Sequence, residues 1–266
     1  MDLHRVTVTG NELVMPGTHI VDVASPALGK ASKPGQFVHI RCSPQWDPLL
    51  RRPMSIFRIR PKGVSLMVRE VGDGSQIIAN AAVGSELDVL GPLGRPFDLD
   101  RSARRLAMVG GGYGVAPLVA LATDALKQGC EVVLLVGAAT ADYVFPADEL
   151  PTDVEYSVAT VDGSLGHRGF VTDLLPRYLD WSDAVYACGP TPMLEAVARL
   201  TRPERFGVAG AMRSRKPVQL AMEQHMGCAM GVCLGCVVMT RKGYQRVCRD
   251  GPVFSADEMT WEGVHA

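Results

Sequence analysis

A surplus of charge of either sign is what this chain most plainly lacks. Its 27 Lys and Arg stand against 28 Asp and Glu, a formal net charge of −1. So even a balance leaves no electrostatic excess for gripping a phosphate backbone or an anionic membrane surface, and nucleic acid is not an expected partner. Long apolar runs are missing too: nothing approaches the roughly 18 uninterrupted apolar residues of a membrane span. The opening MDLHRVTVTGNELV lacks the basic-then-apolar order of a signal peptide. There is no internal repeat and no low-complexity tract. These absences point to a cytoplasmic protein. With 47% hydrophobic and 21% charged residues in 266, the chain can bury the cores of two or three compact domains, which sets disorder aside.

Three textures follow one another. Residues 1–100 read as short alternating runs separated by turns, among them RVTVTG, THIVDVAS, GQFVHIRC, MSIFRIRP, VSLMVREVG and ELDVLGPLG. Period-two patterning at this spacing predicts a small antiparallel β-barrel. Residues 101–210 change to buried strand, glycine turn and helix, as in RLAMVGGGYGVAPLVALATDALKQG, EVVLLVGAAT and AVYACGPTPMLEAVARL. That alternation predicts an α/β domain with a parallel sheet and covering helices. Residues 211–266 lose the rhythm, carry a cysteine cluster and look too short to bury a full core alone, so a metal centre is expected to add stability there.

Seven cysteines make an odd number, and four of them fall between positions 228 and 248. Crowding of this kind suits metal binding in a reducing compartment better than a disulfide framework. Cys228, Cys233, Cys236 and Cys248 are spaced C-x4-C-x2-C-x11-C, and the first three match the plant-type iron-sulfur pattern. A zinc site is the competing reading, but zinc cysteines usually come as two close couples; free thiols are the remaining alternative. Gly227, Gly231 and Gly235 lie among the cysteines, where a loop must bring backbone N–H groups close to sulfur. A 2Fe-2S centre is therefore favoured. Met222, Met226 and Met230 read as packing residues. His225 reads as a polar neighbour, because a Rieske-type centre needs two histidines. Cys42 and Cys130 read as inert thiols.

The run LAMVGGGYGVAPL carries an apolar strand into Gly110, Gly111, Gly112 and Gly114 and on into a helix, where a diphosphate can approach backbone N–H groups. It does not follow G-x-G-x-x-G, since Val115 and Pro117 stand where the last glycine belongs. Tight strand-helix packing alone would also explain it. A second buried strand ends in Cys188, Gly189 and Pro190, which puts a thiol at the carboxyl edge of the sheet, where open α/β folds bind ligands. A lone cysteine there is more often a buried core residue.

Taken in order, RRPMS, GPLG, GGGYGVAPL, ACGPTPM and the cysteine segment with VCRDGPVF resemble the ferredoxin-NADP reductase family over essentially the whole chain. Within it, the tail is similar to the electron-transfer subunits of type B dihydroorotate dehydrogenases. The resemblance implies that FAD is held by Arg52, Pro53, Met54 and Ser55, with Arg52 on the diphosphate and Ser55 near flavin N5. Met54 stands where many members carry an aromatic ring. Val68 and Arg69 would continue the flavin site, Gly74 and Ser75 would form a phosphate-binding turn, and Gly91, Pro92, Leu93 and Gly94 would close the barrel. NAD would be bound by Gly111, Gly112, Gly114, Gly189 and Pro190, with Cys188 beside the nicotinamide and flavin rings. VGAATADYVF offers Asp142 and no cation for a 2′-phosphate, which favours NAD over NADP, although Arg168 lies on another loop.

The same resemblance implies a path. Nicotinamide exchanges two electrons as a hydride, a cluster takes one, and a flavin deals with both. An FMN-containing catalytic subunit would oxidise dihydroorotate in pyrimidine biosynthesis and pass electrons through the 2Fe-2S centre and FAD to NAD+. Two such chains would assemble with two catalytic subunits as a heterotetramer, the cluster near the intersubunit face. The alternatives are a subunit of the same fold serving a hydrogenase, a sulfite reductase or a bifurcating ferredoxin-NADP system, and a zinc-stabilised module without redox activity.

Overall fold

The structure, a computed structural model, describes residues 1–43, 45, 47–202 and 216–261. The first part contains β1 (Asp2–Met15), β2 (Thr18–Ala24), α1 (Pro26–Ala31), β3 (Phe37–Ile40), β4 (Arg52–Arg60), β5 (Gly63–Arg69), α2 (Asp73–Ala79) and β6 (Glu86–Leu93). The six strands close into an antiparallel barrel in the order β1-β2-β5-β4-β3-β6. Alternation explains the closure: Val6, Val8, Val21, Val23, Val38 and Ile40 all point into one apolar interior. Their neighbours on β3, Phe37 and His39, therefore face outward. They share that face with Ser55 and Pro53, their direct partners on β4.

The second part begins with β7 (Arg105–Gly111), α3 (Val115–Lys127), β8 (Glu131–Ala138), β9 (Val154–Thr160), β10 (His167–Arg168), β11 (Ala184–Cys188) and α4 (Thr191–Thr201). It continues with β12 (Val218–Ala221), β13 (Val237–Thr240), β14 (Gly243–Arg246) and β15 (Val253–Ser255). One sheet runs β10-β9-β8-β7-β11-β12-β15. All neighbours are parallel except the edge pair β12 and β15. Along β7 the side chains alternate between faces. Leu106 and Met108 join α3 and the barrel's Phe57 on one side, and Ala107 and Val109 join α4 on the other.

The expected barrel and parallel-sheet domain are both present, and the third segment draws its stability from the second. Val218 and Leu220 on β12 and Phe254 on β15 are buried in the sheet core. Residues 222–252, which carry the cysteines and the two-stranded β13-β14 ladder, form an excursion between these two strands. The boundary expected at 210 and 211 lies outside the described residues.

The strand order reverses direction between β7 and β11, and ligands of open parallel sheets bind at such a switch point, beyond the carboxyl ends of the strands. The glycine turn after β7 and Cys188 at the end of β11 flank that crevice.

Candidate functional site

On the barrel, Arg52 opens β4 and its guanidinium lies against the first turn of α2. A Cβ placed on Gly74 would come within 2.7 Å of Arg52 Nε, so with any larger residue the guanidinium would have to shift. This cradle joins a fixed positive charge to the N-terminal turn of a helix, donors suited to a flavin diphosphate. Ser75 supports it from within. Its hydroxyl accepts from the amides of Val71 (2.9 Å) and Gly72 (3.0 Å) and donates to the Gly72 carbonyl (2.8 Å), so its side chain is spent on holding the turn. Val68 is fully buried inside the barrel and has only its backbone to offer a cofactor. Met54 packs against the same interior, while Ser55 and Pro53 face outward.

At the sheet, the two turns lie backbone against backbone. A Cβ on Gly114 would sit 2.4 Å from the Cys188 carbonyl oxygen, and one on Gly111 would meet Pro190 Cδ and Met193 Sδ at 2.8 Å. Close packing therefore requires both glycines. Gly112 differs: with φ of +55° and no described residue within 4 Å of a Cβ, it needs glycine for its conformation rather than for packing. The turn thus combines the packing role and an open backbone surface that a dinucleotide could approach.

Cys188 is buried, and its thiol points toward Glu223 Oε1 at 3.9 Å. Burial, together with the neighbouring carboxyl, pushes the thiol well above its ordinary range. Burial likewise raises the Glu223 carboxyl, which faces the Cys188 thiol and the Tyr113 phenol. Tyr113, inside the glycine turn, has its phenol pushed up first by the Glu223 charge and then by burial. Arg69 of the barrel reaches the same place: its guanidinium lies 5.9 Å from the Tyr113 ring centroid and 5.2 Å from that of Tyr143. Barrel strand, nucleotide turn, Cys188 and the start of the cysteine segment meet in this one constellation.

In the cysteine loop, Cys228 Sγ accepts from the amides of Met230, Val232 and Cys233, each at 3.4 Å. Burial opposes ionisation of this thiol, but the three N–H groups outweigh it and bring it down to about 6. Cys236 Sγ accepts from the Cys248 amide at 3.5 Å. Burial and the adjacent Cys236 push the Cys248 thiol up to about 12. Positive φ at Ala229, Gly231 and Leu234 wraps the loop inward. Gly227 and Gly235 flank Cys233 Sγ, where a Cβ would lie at 3.4 or 3.6 Å, an ordinary contact distance. Sulfurs surrounded by backbone donors suit thiolates that carry the charge of an iron-sulfur centre.

A closed barrel, a nucleotide-type sheet and a four-cysteine loop define an iron-sulfur oxidoreductase of the ferredoxin reductase type. Residues 108–199 match the oxidoreductase NAD-binding domain, and residues 223–260 match the iron-sulfur cluster binding domain of dihydroorotate dehydrogenase B. The chain is 38% identical to the "Dihydroorotate dehydrogenase B (NAD(+)), electron transfer subunit" of Geobacillus sp. (strain WCH70), over 97% of this chain and 99% of that one. It is 40% identical to the protein of the same name from Bacillus caldolyticus, over 96% and 97% of the two chains. Among solved structures, an NADH-dependent reduced ferredoxin-NADP oxidoreductase studied for flavin-based electron bifurcation aligns with a TM-score of 0.83 at 27% identity, covering 97% of this chain and 90% of that one. The chain belongs to the family of dihydroorotate dehydrogenase B (NAD+) electron transfer subunits.

Glu223 and Tyr113 escaped the sequence reading. Their only linear trace is a lone acid just after a buried strand and an aromatic ring inside a glycine turn, 110 positions apart.

Proposed function

We propose that this chain takes electrons from a dihydroorotate-oxidising FMN subunit and delivers them to NAD+ in pyrimidine biosynthesis. The observation that carries this reading is the meeting of the flavin strand, the nucleotide turn and the cysteine segment around Arg69, Tyr113, Glu223 and Cys188. FAD, a 2Fe-2S cluster and NAD are its cofactors, and a flavin supplies the exchange between two-electron hydride transfer and one-electron steps.

The chain's own residues hold and orient. Arg52 with Gly74 receives the flavin diphosphate, Ser75 keeps that turn in shape, and Pro53, Ser55 and the Arg69 stem line the barrel's outer face. Gly112 opens the nucleotide turn, while Gly111, Gly114, Gly189 and Pro190 fix its distance from Cys188. Cys188, protonated at neutral pH and faced by Glu223, orders the approach of the nicotinamide. Cys228, Cys233, Cys236 and Cys248 ligate the cluster. Val232 and Leu234, both largely exposed beside Cys233, suit an apolar contact with the catalytic subunit, and two chains of each kind would make a heterotetramer. Among the described residues no helix is long and apolar enough to cross a membrane, and the cysteine content suits a reducing cytoplasm.

The test is the visible spectrum and the iron, sulfide, zinc and flavin content of anaerobically purified protein, before and after NADH. Stoichiometric FAD with a two-iron cluster, both bleaching, supports the reading; zinc without flavin overturns it. Cys233→Ser should abolish delivery between the partner and NAD+ yet spare NADH-driven reduction of a soluble dye at FAD. Loss of both with FAD still bound would contradict that order.

A further inference from the structure

Arg246 ends β14 opposite Val237, the residue after Cys236. Its Nη1 donates to the Gly231 carbonyl at 3.0 Å, and its Nε and Nη2 fork onto Asp250 at 2.8 and 3.1 Å. Asp250 in turn accepts from the Arg246 amide at 3.0 Å. Both side chains are mostly buried, with 30% and 22% exposure.

The Gly231 carbonyl and the Val232 N–H belong to one planar trans peptide, so they point in opposite directions. The N–H donates to Cys228 Sγ at 3.4 Å. Arg246 thus holds the far edge of the peptide whose near edge donates to a cysteine sulfur. A cation on the carbonyl also polarises that N–H toward the sulfur. Gly231 itself, at φ +81°, leaves no room for a side chain, since a Cβ would lie 2.7 Å from Arg249 Cδ.

We propose that Arg246 is a positioning residue that raises the reduction potential of the centre held by Cys228, Cys233, Cys236 and Cys248, through the Gly231 peptide and through its own charge, with Asp250 as the counterweight. The inference rests on the cluster reading of those cysteines. One added electron increases the negative charge on the sulfurs, and donors and cations beside them stabilise the reduced form more than the oxidised one. Arg246 and Asp250 therefore pull in opposite directions although they form one ion pair.

The experiment is a redox titration of the full chain, purified with its cluster and followed by the spectrum of the reduced form, with iron and sulfide counted in parallel. Arg246→Gln should lower the reduced-to-oxidised ratio at a fixed poise about tenfold, roughly 59 mV for a one-electron couple. Asp250→Asn should move it the other way, and Arg246→Lys, which keeps the charge but not the fork, should recover part of the loss. A purely structural role would change cluster content without shifts of opposite sign. If Arg246→Gln does not retain iron, the Asp250→Asn and Arg246→Lys potentials decide. A full cluster complement with unmoved potentials, or with Arg246→Gln and Asp250→Asn moving the same way, would overturn the inference. Zinc in the wild-type protein would overturn the cluster reading beneath it.

Discussion

The amide of Arg95 donates to the carbonyl of Gly251 at 2.6 Å. Arg95 follows the barrel's closing element, and Gly251 lies three residues beyond Cys248, so the flavin-side strand and the cysteine segment share a backbone seam. Gly94 tightens it: at φ +79°, a Cβ there would sit 2.4 Å from Pro252 Cδ.

Gly94→Ala should therefore cost about 1–3 kcal/mol from backbone strain alone, and more from the clash with Pro252. The fall in the urea midpoint checks it. Gly84→Ala is the control, because it shares positive φ but has nothing within 4 Å of a Cβ.

The barrel is latched to the sheet domain by Arg58. Its Nη2 meets Glu149 Oε2 at 2.5 Å and the Glu149 carbonyl at 2.6 Å, and its guanidinium covers the Phe57 ring. Arg58→Ala leaves a mostly buried carboxylate without its cation and should destabilise by roughly 1.5–3 kcal/mol, measured by denaturant unfolding. Lysine at this position should restore only part, because an ammonium keeps the charge but not the planar group that covers the Phe57 ring.

His39 gives the fold a sensitivity to acid. Burial, aided by the Arg51 and Arg52 charges and outweighing the opposing pull of the Arg51 backbone, lowers its imidazole from 6.5 to about 4, and both ring nitrogens are buried without a hydrogen-bond partner among the described residues. Because the folded value lies below the unfolded one, the unfolded chain takes up the proton first. The contribution is intact above pH 6.5 and is lost as pH falls through 4, about 3 kcal/mol between pH 7 and 4. His39→Leu should flatten this part of the stability profile; an unchanged slope would exclude His39 as its source.

At the central constellation, Tyr113→Phe removes the hydroxyl that faces Glu223, and Glu223→Gln replaces the carboxyl that faces Cys188. Each should slow NADH-driven reduction of bound flavin about tenfold, the roughly 1.4 kcal/mol of one hydrogen bond. Stopped-flow absorbance at constant flavin content measures it.

The barrel was legible because half-buried antiparallel strands write a period of two into the sequence, and the parallel sheet because strands covered on both faces read as unbroken apolar runs. Punctuation was less reliable. The run RVTVTG reads as ending at Gly10 with a turn to follow, yet β1 continues to Met15 with a break in register beside Gly10. Asn11 Nδ2 donates to the Ala79 and Ala81 carbonyls, so a tertiary contact replaces the turn. The short helices α1 and α2 were hidden in stretches that read as loop, since six or seven residues carry too little periodicity. Among the site residues, the cysteines were visible through spacing alone. The Tyr113, Glu223 and Arg69 grouping was not, because it comes from three separate segments that only the folded chain brings together.

The antiparallel pairing of β12 with β15 joins Ala221 to Val253 and Gln219 to Ser255. The segment that carries all four clustered cysteines therefore leaves and re-enters the sheet at adjacent points. Topologically it is a cassette tied down at two points: Glu223 near its start faces Cys188 in the nucleotide crevice, and Gly251 near its end accepts from Arg95 of the barrel. Exchange of such a module would therefore have to keep both ties and the buried Ala229, Val238 and Val247, which share one core with the sheet domain.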